Sequence, residues 1–224
     1  MKELKYEKFP EQNFQPESIV VLLHGIGADG FDLIQLAELW SKVLNKTKFY
    51  SLHAPFPYKF AQVLPLLNPI GRQWFDLEDR DQTRILKEIE LVKPMIVTFL
   101  KKKLKKHDLQ YKDLILVGFS QGTMIALNLA LTIKEELRGV LGYSGGVILT
   151  KSGKIEINSK PRICLIHGEE DEVVPKKMME STEVVLKDND IDIDTHLIEN
   201  LGHSINQEGL EIGQNFLVKY LLKC

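Results

Sequence analysis

The 224-residue sequence predicts an α/β fold with a mostly parallel central sheet covered by helices on both faces. Three observations carry this reading. Short runs of β-branched and apolar residues recur without the apolar–polar alternation of a half-solvated strand, so each strand is covered on both sides. Segments of helical period separate them. Glycine-bearing turns stand where strands end and helices begin.

The first strand is expected at 18–24, Ser-Ile-Val-Val-Leu-Leu-His, followed by the turn Gly25-Ile26-Gly27-Ala28-Asp29-Gly30 and a helix through Leu33, Leu36, Leu39 and Trp40. A second short run, 48–52, follows. Residues 54–73 then carry prolines at 55, 57, 65 and 69 and no clean period. An apolar excursion of that length in a compact domain is usually functional. Residues 84–106 read as a helix with Ile85, Ile89, Val92, Ile96 and Leu100 on one side, and Pro94 predicts a kink or a break near its middle. Five lysines between 101 and 106 suit the negative end of the helix dipole and read as a solvated helix end rather than as a patch for an anionic surface. A strand at 114–117 and a helix at 121–134 come next, then strands at 139–143 and 162–166. A helix at 173–188, a strand at 191–198 and a last helix at 205–222 complete the pattern, with Ser204 as the expected cap and Gln207 in the capping-box position. No internal repeat or linker is visible, so 1–224 reads as a single domain.

Composition narrows the function. At 44% hydrophobic and 27% charged residues the chain is neither disordered nor low-complexity. Its formal charge of −2 argues against a nucleic-acid binder. Cys164 and Cys224 make no disulfide framework and fit a reducing compartment. The start, MKELKYEKFPEQNF, lacks the apolar segment of a secretory signal, and no run reaches the roughly 18 apolar residues of a membrane span. A cytoplasmic protein is expected. Histidines and cysteines nowhere cluster at metal-ligand spacing, and Asp76, Glu78, Asp79 and Asp81 lack the glycine and closing glutamate of a calcium loop, so no metal or cofactor is expected.

The sharpest local signal is Gly118-Phe119-Ser120-Gln121-Gly122, a G-x-S-x-G sequence between an expected strand and an expected helix. A serine on that strained turn is lifted above the sheet edge, and a Cβ at either flanking glycine would meet backbone as the chain doubles back. Five such residues alone also fit a plain tight turn; the strand before and the helix after make Ser120 the candidate nucleophile. The next amide, Gln121, then faces a developing oxyanion. A serine needs a base, and the base an orienting carboxylate, which in this topology follow in the order acid, histidine. His203 lies in a short loop after the last strand and is the candidate base; His196, inside that strand, and His167, before the acid loop, read as structural. Asp171, in the loop after 162–166, is the candidate acid, with Glu169, Glu170 and Glu172 as solvated bystanders. The competing reading makes Asp171 and His203 ordinary surface-loop residues. A second oxyanion donor is expected from Ile26 in His24-Gly25-Ile26-Gly27, where glycines allow close approach; the alternative is a turn that only starts a helix. His24 itself reads as a packed histidine supporting the loop.

Taken together, Leu23-His24-Gly25-Ile26-Gly27-Ala28-Asp29-Gly30, Ala54-Pro55, Trp74-Phe75-Asp76, the serine motif, the segment from His167 to Pro175 and Gly202-His203 resemble the phospholipase/carboxylesterase family of α/β-hydrolases, which includes the acyl-protein thioesterases. The match runs from about 18 to 222. The resemblance implies an α/β-hydrolase fold, Ser120, Asp171 and His203 as a triad, the amides of Ile26 and Gln121 as oxyanion hole, and Trp74 with the loop ahead of it along an acyl groove. Where the family usually has a further glycine this chain has Thr123, a position inside the helix that is expected to narrow the pocket at most.

Residues from Phe56 to Leu67, with Leu66 and Leu67 at the end, are more apolar than a solvent-facing loop should be; they either line an acyl groove or cover the sheet edge. The expected activity is hydrolysis of carboxylic esters or thioesters through an acyl-enzyme, with a small-molecule ester, a lysophospholipid or an acylated protein as substrate. A peptidase or amidase using the same triad, and a non-catalytic binding protein on this fold, are the alternatives. Transient contact with a membrane surface and a homodimer stay open.

Overall fold

The computed structural model describes residues 3–59, 71–77 and 81–222. Its main sheet is built from β1 (Tyr6–Phe9), β2 (Ser18–Leu23), β3 (Thr47–Leu52), β6 (Leu114–Phe119), β7 (Gly139–Tyr143), β8 (Arg162–Gly168) and β9 (Ile193–Ile198). The spatial order is β1-β3-β2-β6-β7-β8-β9. Only β1 runs antiparallel, against β3; every other pairing in this sheet is parallel. A two-stranded ribbon, β4 (Phe56–Pro57) with β5 (Arg72–Gln73), stands apart from it.

The helices are α1 (Gly30–Trp40), α2 (Gln82–His107), α3 (Gln121–Thr132), α4 (Lys177–Lys187) and α5 (Gln207–Leu221). All six residues of β2 are buried because its pleat feeds two cores at once. Val20 and Leu22 pack with Leu33, Ala37 and Trp40 of α1 and Phe216 and Leu217 of α5. Ile19, Val21 and Leu23 face the other way, into a core shared with Ile89 and Ile96 of α2, Ile125 and Leu129 of α3, and Met179 and Leu186 of α4. The lack of alternation in the sequence is this two-sided burial. Among the described residues, no helix is long and apolar enough to cross a membrane.

Several expectations are corrected. β1 has no compact apolar run to betray it: its Tyr-Glu-Lys-Phe is half-buried throughout, as suits a short edge strand. α2 continues unbroken through Pro94. That proline sits on the exposed side, so the carbonyl it leaves unbonded faces water. The lysine-rich end is not wholly solvated either, since Lys103 is buried with its Nζ 3.7 Å from the ring centre of Tyr6 and 4.8 Å from that of Tyr50. α4 starts at Lys177 rather than 173, because the preceding segment is held as a loop around Asp171. α5 is capped by Asn206, whose side chain accepts from the Gly209 amide at 2.9 Å, while Ser204 is engaged in a turn with Gly202.

Candidate active site

β6 and α3 are separated by one residue, Ser120, held at φ 52° and ψ −116°. A serine pays strain in that region, so its surroundings must fix it. Its amide donates to the carbonyl of Tyr143 at 2.9 Å, and its carbonyl accepts from the amides of Thr123 and Met124 at 3.0 and 3.2 Å. The turn is tight enough that a Cβ on Gly122 would stand 1.8 Å from the Leu23 carbonyl oxygen, and one on Gly118 2.4 Å from the Thr123 nitrogen. Both motif glycines are therefore steric requirements.

Asp171 follows β8 in a loop whose amides converge on it. Its Oδ1 accepts from Val173 and Val174 at 2.9 and 2.8 Å, and its Oδ2 accepts from His203 Nδ1 at 2.8 Å. Burial is the largest single influence on this carboxyl and pushes its pKa up. The His203 hydrogen bond, the two amides and the His203 charge outweigh it, and the net result lies below the ordinary carboxylate value. With Nδ1–H given to Asp171, His203 keeps the lone pair on Nε2 free for a proton. The loop carrying it lies between β9 and α5, and its ring packs against Phe119, the residue before Ser120, with ring centres 4.9 Å apart. Among the described residues the Ser120 hydroxyl makes no hydrogen bond to His203.

The neighbouring histidines occupy different places. His167 is buried, with Nε2 donating to the Val174 carbonyl at 2.7 Å and lying 3.3 Å from Asp171 Oδ2, so it braces the acid loop. His196 lies on β9 beside Asp194, at 3.2 Å. Glu169 pairs with Lys176 at 2.9 Å on the surface, and Glu170 and Glu172 are exposed.

The turn after β2 abuts the serine turn: a Cβ on Gly25 would stand 3.4 Å from Ser120 Cβ. Among the described residues the amides of Ile26 and Gln121 have no acceptor, which leaves both donors free for a ligand oxygen. His24 is fully buried, and burial brings its pKa down to about 4, so the ring is neutral. Trp74, expected along an acyl groove, has no exposed surface; its indole N–H donates to the His24 carbonyl at 2.9 Å. Indole burial needs a partner for that N–H, and here the partner is the carbonyl at the start of the turn after β2.

Phe56 is 40% exposed on β4, whereas Leu66 and Leu67 lie outside the described residues. The described residues offer a different apolar surface. A groove of about 380 Å³ is lined by Val147, Ile148, Leu149, Pro175 and Met178. Val147, Ile148 and Leu149 lie in the segment after β7, Pro175 in the loop after β8 and Met178 in the first turn of α4, with Gln82, Lys177 and Ser181 as polar lining. Sequence reasoning missed it; the available signal was the apolar Val147-Ile148-Leu149 directly after Gly145-Gly146. Thr123 does not narrow a pocket. Its hydroxyl donates to the Tyr143 carbonyl at 2.8 Å and accepts from the Tyr143 amide at 3.1 Å, tying α3 to β7. Its methyl fills the place of a Cβ on Gly142, 2.5 Å from it.

A buried acid hydrogen-bonded to a half-buried histidine, with a strained serine on the carboxyl edge of the same sheet, is the arrangement of a serine-type α/β-hydrolase. A model of the family described as Phospholipase/Carboxylesterase matches residues 6–221, and the chain belongs to that family. It is an ester hydrolase of the serine type. The chain is similar in structure to esterase PE8, with a TM-score of 0.88 and 36% identity over 98% of this chain and 100% of that one. It is 25% identical to acyl-protein thioesterase 1 of Gibberella zeae over 92% of each chain. It is 28% identical to acyl-protein thioesterase 1 of Aspergillus fumigatus, over 90% of this chain and 87% of that one. The Bacillus cereus carboxylesterase, at 17% identity and a TM-score of 0.76, shares the fold.

Proposed function

We propose that the chain hydrolyses acyl esters or thioesters through an acyl-enzyme on Ser120, with His203 as base and Asp171 as its orienting acid. The observation that carries this is the 2.8 Å hydrogen bond from His203 Nδ1 to the buried Asp171, because it engages Nδ1–H and leaves Nε2 as the proton acceptor. Ser120 Oγ attacks the acyl carbon while His203 Nε2 takes its proton, and Asp171 stabilises the resulting imidazolium. The amides of Ile26 and Gln121 donate to the tetrahedral oxyanion. Collapse breaks the bond to the alcohol or thiol, which leaves with the proton from His203. Water then attacks the acyl carbon, His203 takes its proton and returns it to Ser120, and the free acid departs.

The acyl chain lies along the groove of Val147, Ile148, Pro175 and Met178. An open apolar groove suits the acyl chain of a lysophospholipid, an acylated protein or a small ester, and the names of the relatives, esterase and acyl-protein thioesterase, support both bond types. A cytoplasmic setting is the compatible one for a free Cys164. The test is a kcat/KM profile from acetyl to octanoyl, run in parallel for oxygen esters and thioesters of the same acids. Rising values with chain length support the reading, and a maximum at acetyl removes the groove from it.

A further inference from the structure

We infer that Trp74 and the side chain of Gln121 are positioning residues that hold the two oxyanion amides in one hydrogen-bonded frame. The inference rests on the reading above, in which Ile26 and Gln121 receive the oxyanion, and extends it to the side chains that set where those amides point.

The two donors come from different segments, Ile26 from the turn after β2 and Gln121 from the start of α3. Strand pairing alone fixes neither the distance between them nor their directions. A chain of side-chain contacts does. The Gln121 side chain is buried and binds one neighbouring segment at two points: its Oε1 accepts from the Trp74 amide at 2.8 Å, and its Nε2 donates to the Phe75 carbonyl at 2.7 Å. The Trp74 indole then donates to the His24 carbonyl at 2.9 Å. The imidazole of His24 continues the frame. Its Nε2 accepts from the Ala54 amide at 3.0 Å, which leaves the proton on Nδ1 to be donated to the Gly25 carbonyl at 2.7 Å.

That last bond reaches the oxyanion site itself. The Gly25 carbonyl and the Ile26 N–H belong to one planar peptide unit, so holding the oxygen from one side aims the N–H to the other. A hydrogen bond at the carbonyl also polarises the unit and strengthens the opposite donor. At the second donor the Ser120 carbonyl is held by Thr123 and Met124, and the same planarity aims Gln121 N–H. Trp74 is the link between the halves. Its ring lies 5.5 Å from that of His24, its backbone is gripped by Gln121, and it is fully buried.

A merely structural Trp74 would affect stability alone. A positioning Trp74 affects the transition state more than the bound substrate. The experiment compares wild type, Trp74→Phe and Gln121→Met for kcat, KM, inhibition by an octyl trifluoromethyl ketone, and inhibition by the matching ether that has no carbonyl. Trp74→Phe removes the donor to His24 together with part of the packed ring; Gln121→Met removes both side-chain hydrogen bonds but leaves the backbone amide in place. The expected result in each is a kcat lower by about tenfold, a fraction of the 10²–10³ that outright loss of a donor costs, with KM nearly unchanged. The ketone, whose adduct places an oxyanion in the site, weakens in proportion, and the ether does not. Circular dichroism checks folding, and if Trp74→Phe fails to fold, Gln121→Met decides by the same ratio. Unchanged kcat and ketone affinity, or equal losses for ketone and ether, overturn the inference. If instead Ser120→Ala turns over normally, the underlying reading has failed, whatever these variants do.

Discussion

His203 Nδ1 stands 2.8 Å from Asp171 Oδ2, although the two residues come from separate loops 32 positions apart. The acid is wholly out of solvent at its side chain and owes its charge to the amides of Val173 and Val174 as well as to the ring. That combination fixes the ring by a charged acceptor that cannot swing away. It also makes the pair an element of stability. A carboxyl held below its ordinary pKa stabilises the fold above that value and loses the contribution as pH falls through its lowered one.

Asp171→Asn keeps the shape of the acceptor but can offer His203 an N–H, which favours the wrong tautomer. Turnover is expected to fall by about 10⁴-fold, measured as kcat on a chromogenic short-chain ester, with the fold intact by circular dichroism. His203→Ala should lose at least as much. The double variant should be far from the product of the two losses, because both act through one proton transfer. Full activity in Asp171→Asn alongside loss in Glu170→Gln or Glu172→Gln would move the acid to a neighbouring residue.

The pH dependence of stability has a second source in His24. Its pKa falls from 6.5 unfolded to about 4 folded, so the folded state disfavours the proton. Between those values the unfolded chain binds more protons, and stability rises with pH; the contribution is complete above 6.5 and gone below about 4. The span corresponds to about 3 kcal/mol. Urea unfolding of His24→Asn, compared with wild type at pH 7 and pH 4.5, should show a lower stability at neutral pH and a flatter dependence. A wild-type slope in the variant would remove His24 as its cause.

The groove makes its own prediction about specificity. Each methylene buried along it is worth about 0.8 kcal/mol, or roughly fourfold in kcat/KM. Met178→Asp or Val147→Asp should flatten the rise from butanoyl to octanoyl esters and leave acetyl ester turnover within about twofold, since neither side chain contacts the reacting atoms. Equal losses for all chain lengths would mean that the substitution has disturbed the site rather than the groove.

How much of this is legible in the sequence follows from where steric demand is local. Gly118 and Gly122 are readable because the turn they flank has no room for a side chain, and strand and helix on either side say which turn it is. Asp171 and His203 are readable because expected strands end just before them, on the edge where loops gather. The elements that escape are those whose reasons are tertiary. β1 is a strand because β3 has a free edge, not because Tyr-Glu-Lys-Phe favours one. Helix α2 survives Pro94 because that position faces water. Lys103 looks like one more solvated lysine until Tyr6 and Tyr50, distant in sequence, close over it. Trp74 shows the same limit at the site. The family resemblance places it along a groove, while its hydrogen bonds to the turn after β2 and to Gln121 come from partners distant in sequence.

The most direct measurement of the central claim is labelling with a fluorophosphonate, followed by proteolysis and mass spectrometry of the adduct. The expected result is one adduct per chain, located on Ser120, absent from Ser120→Ala, and formed orders of magnitude more slowly in His203→Ala, with hydrolysis lost in parallel and circular dichroism unchanged. An adduct on another residue, or a Ser120→Ala variant that labels and hydrolyses like wild type, would contradict it.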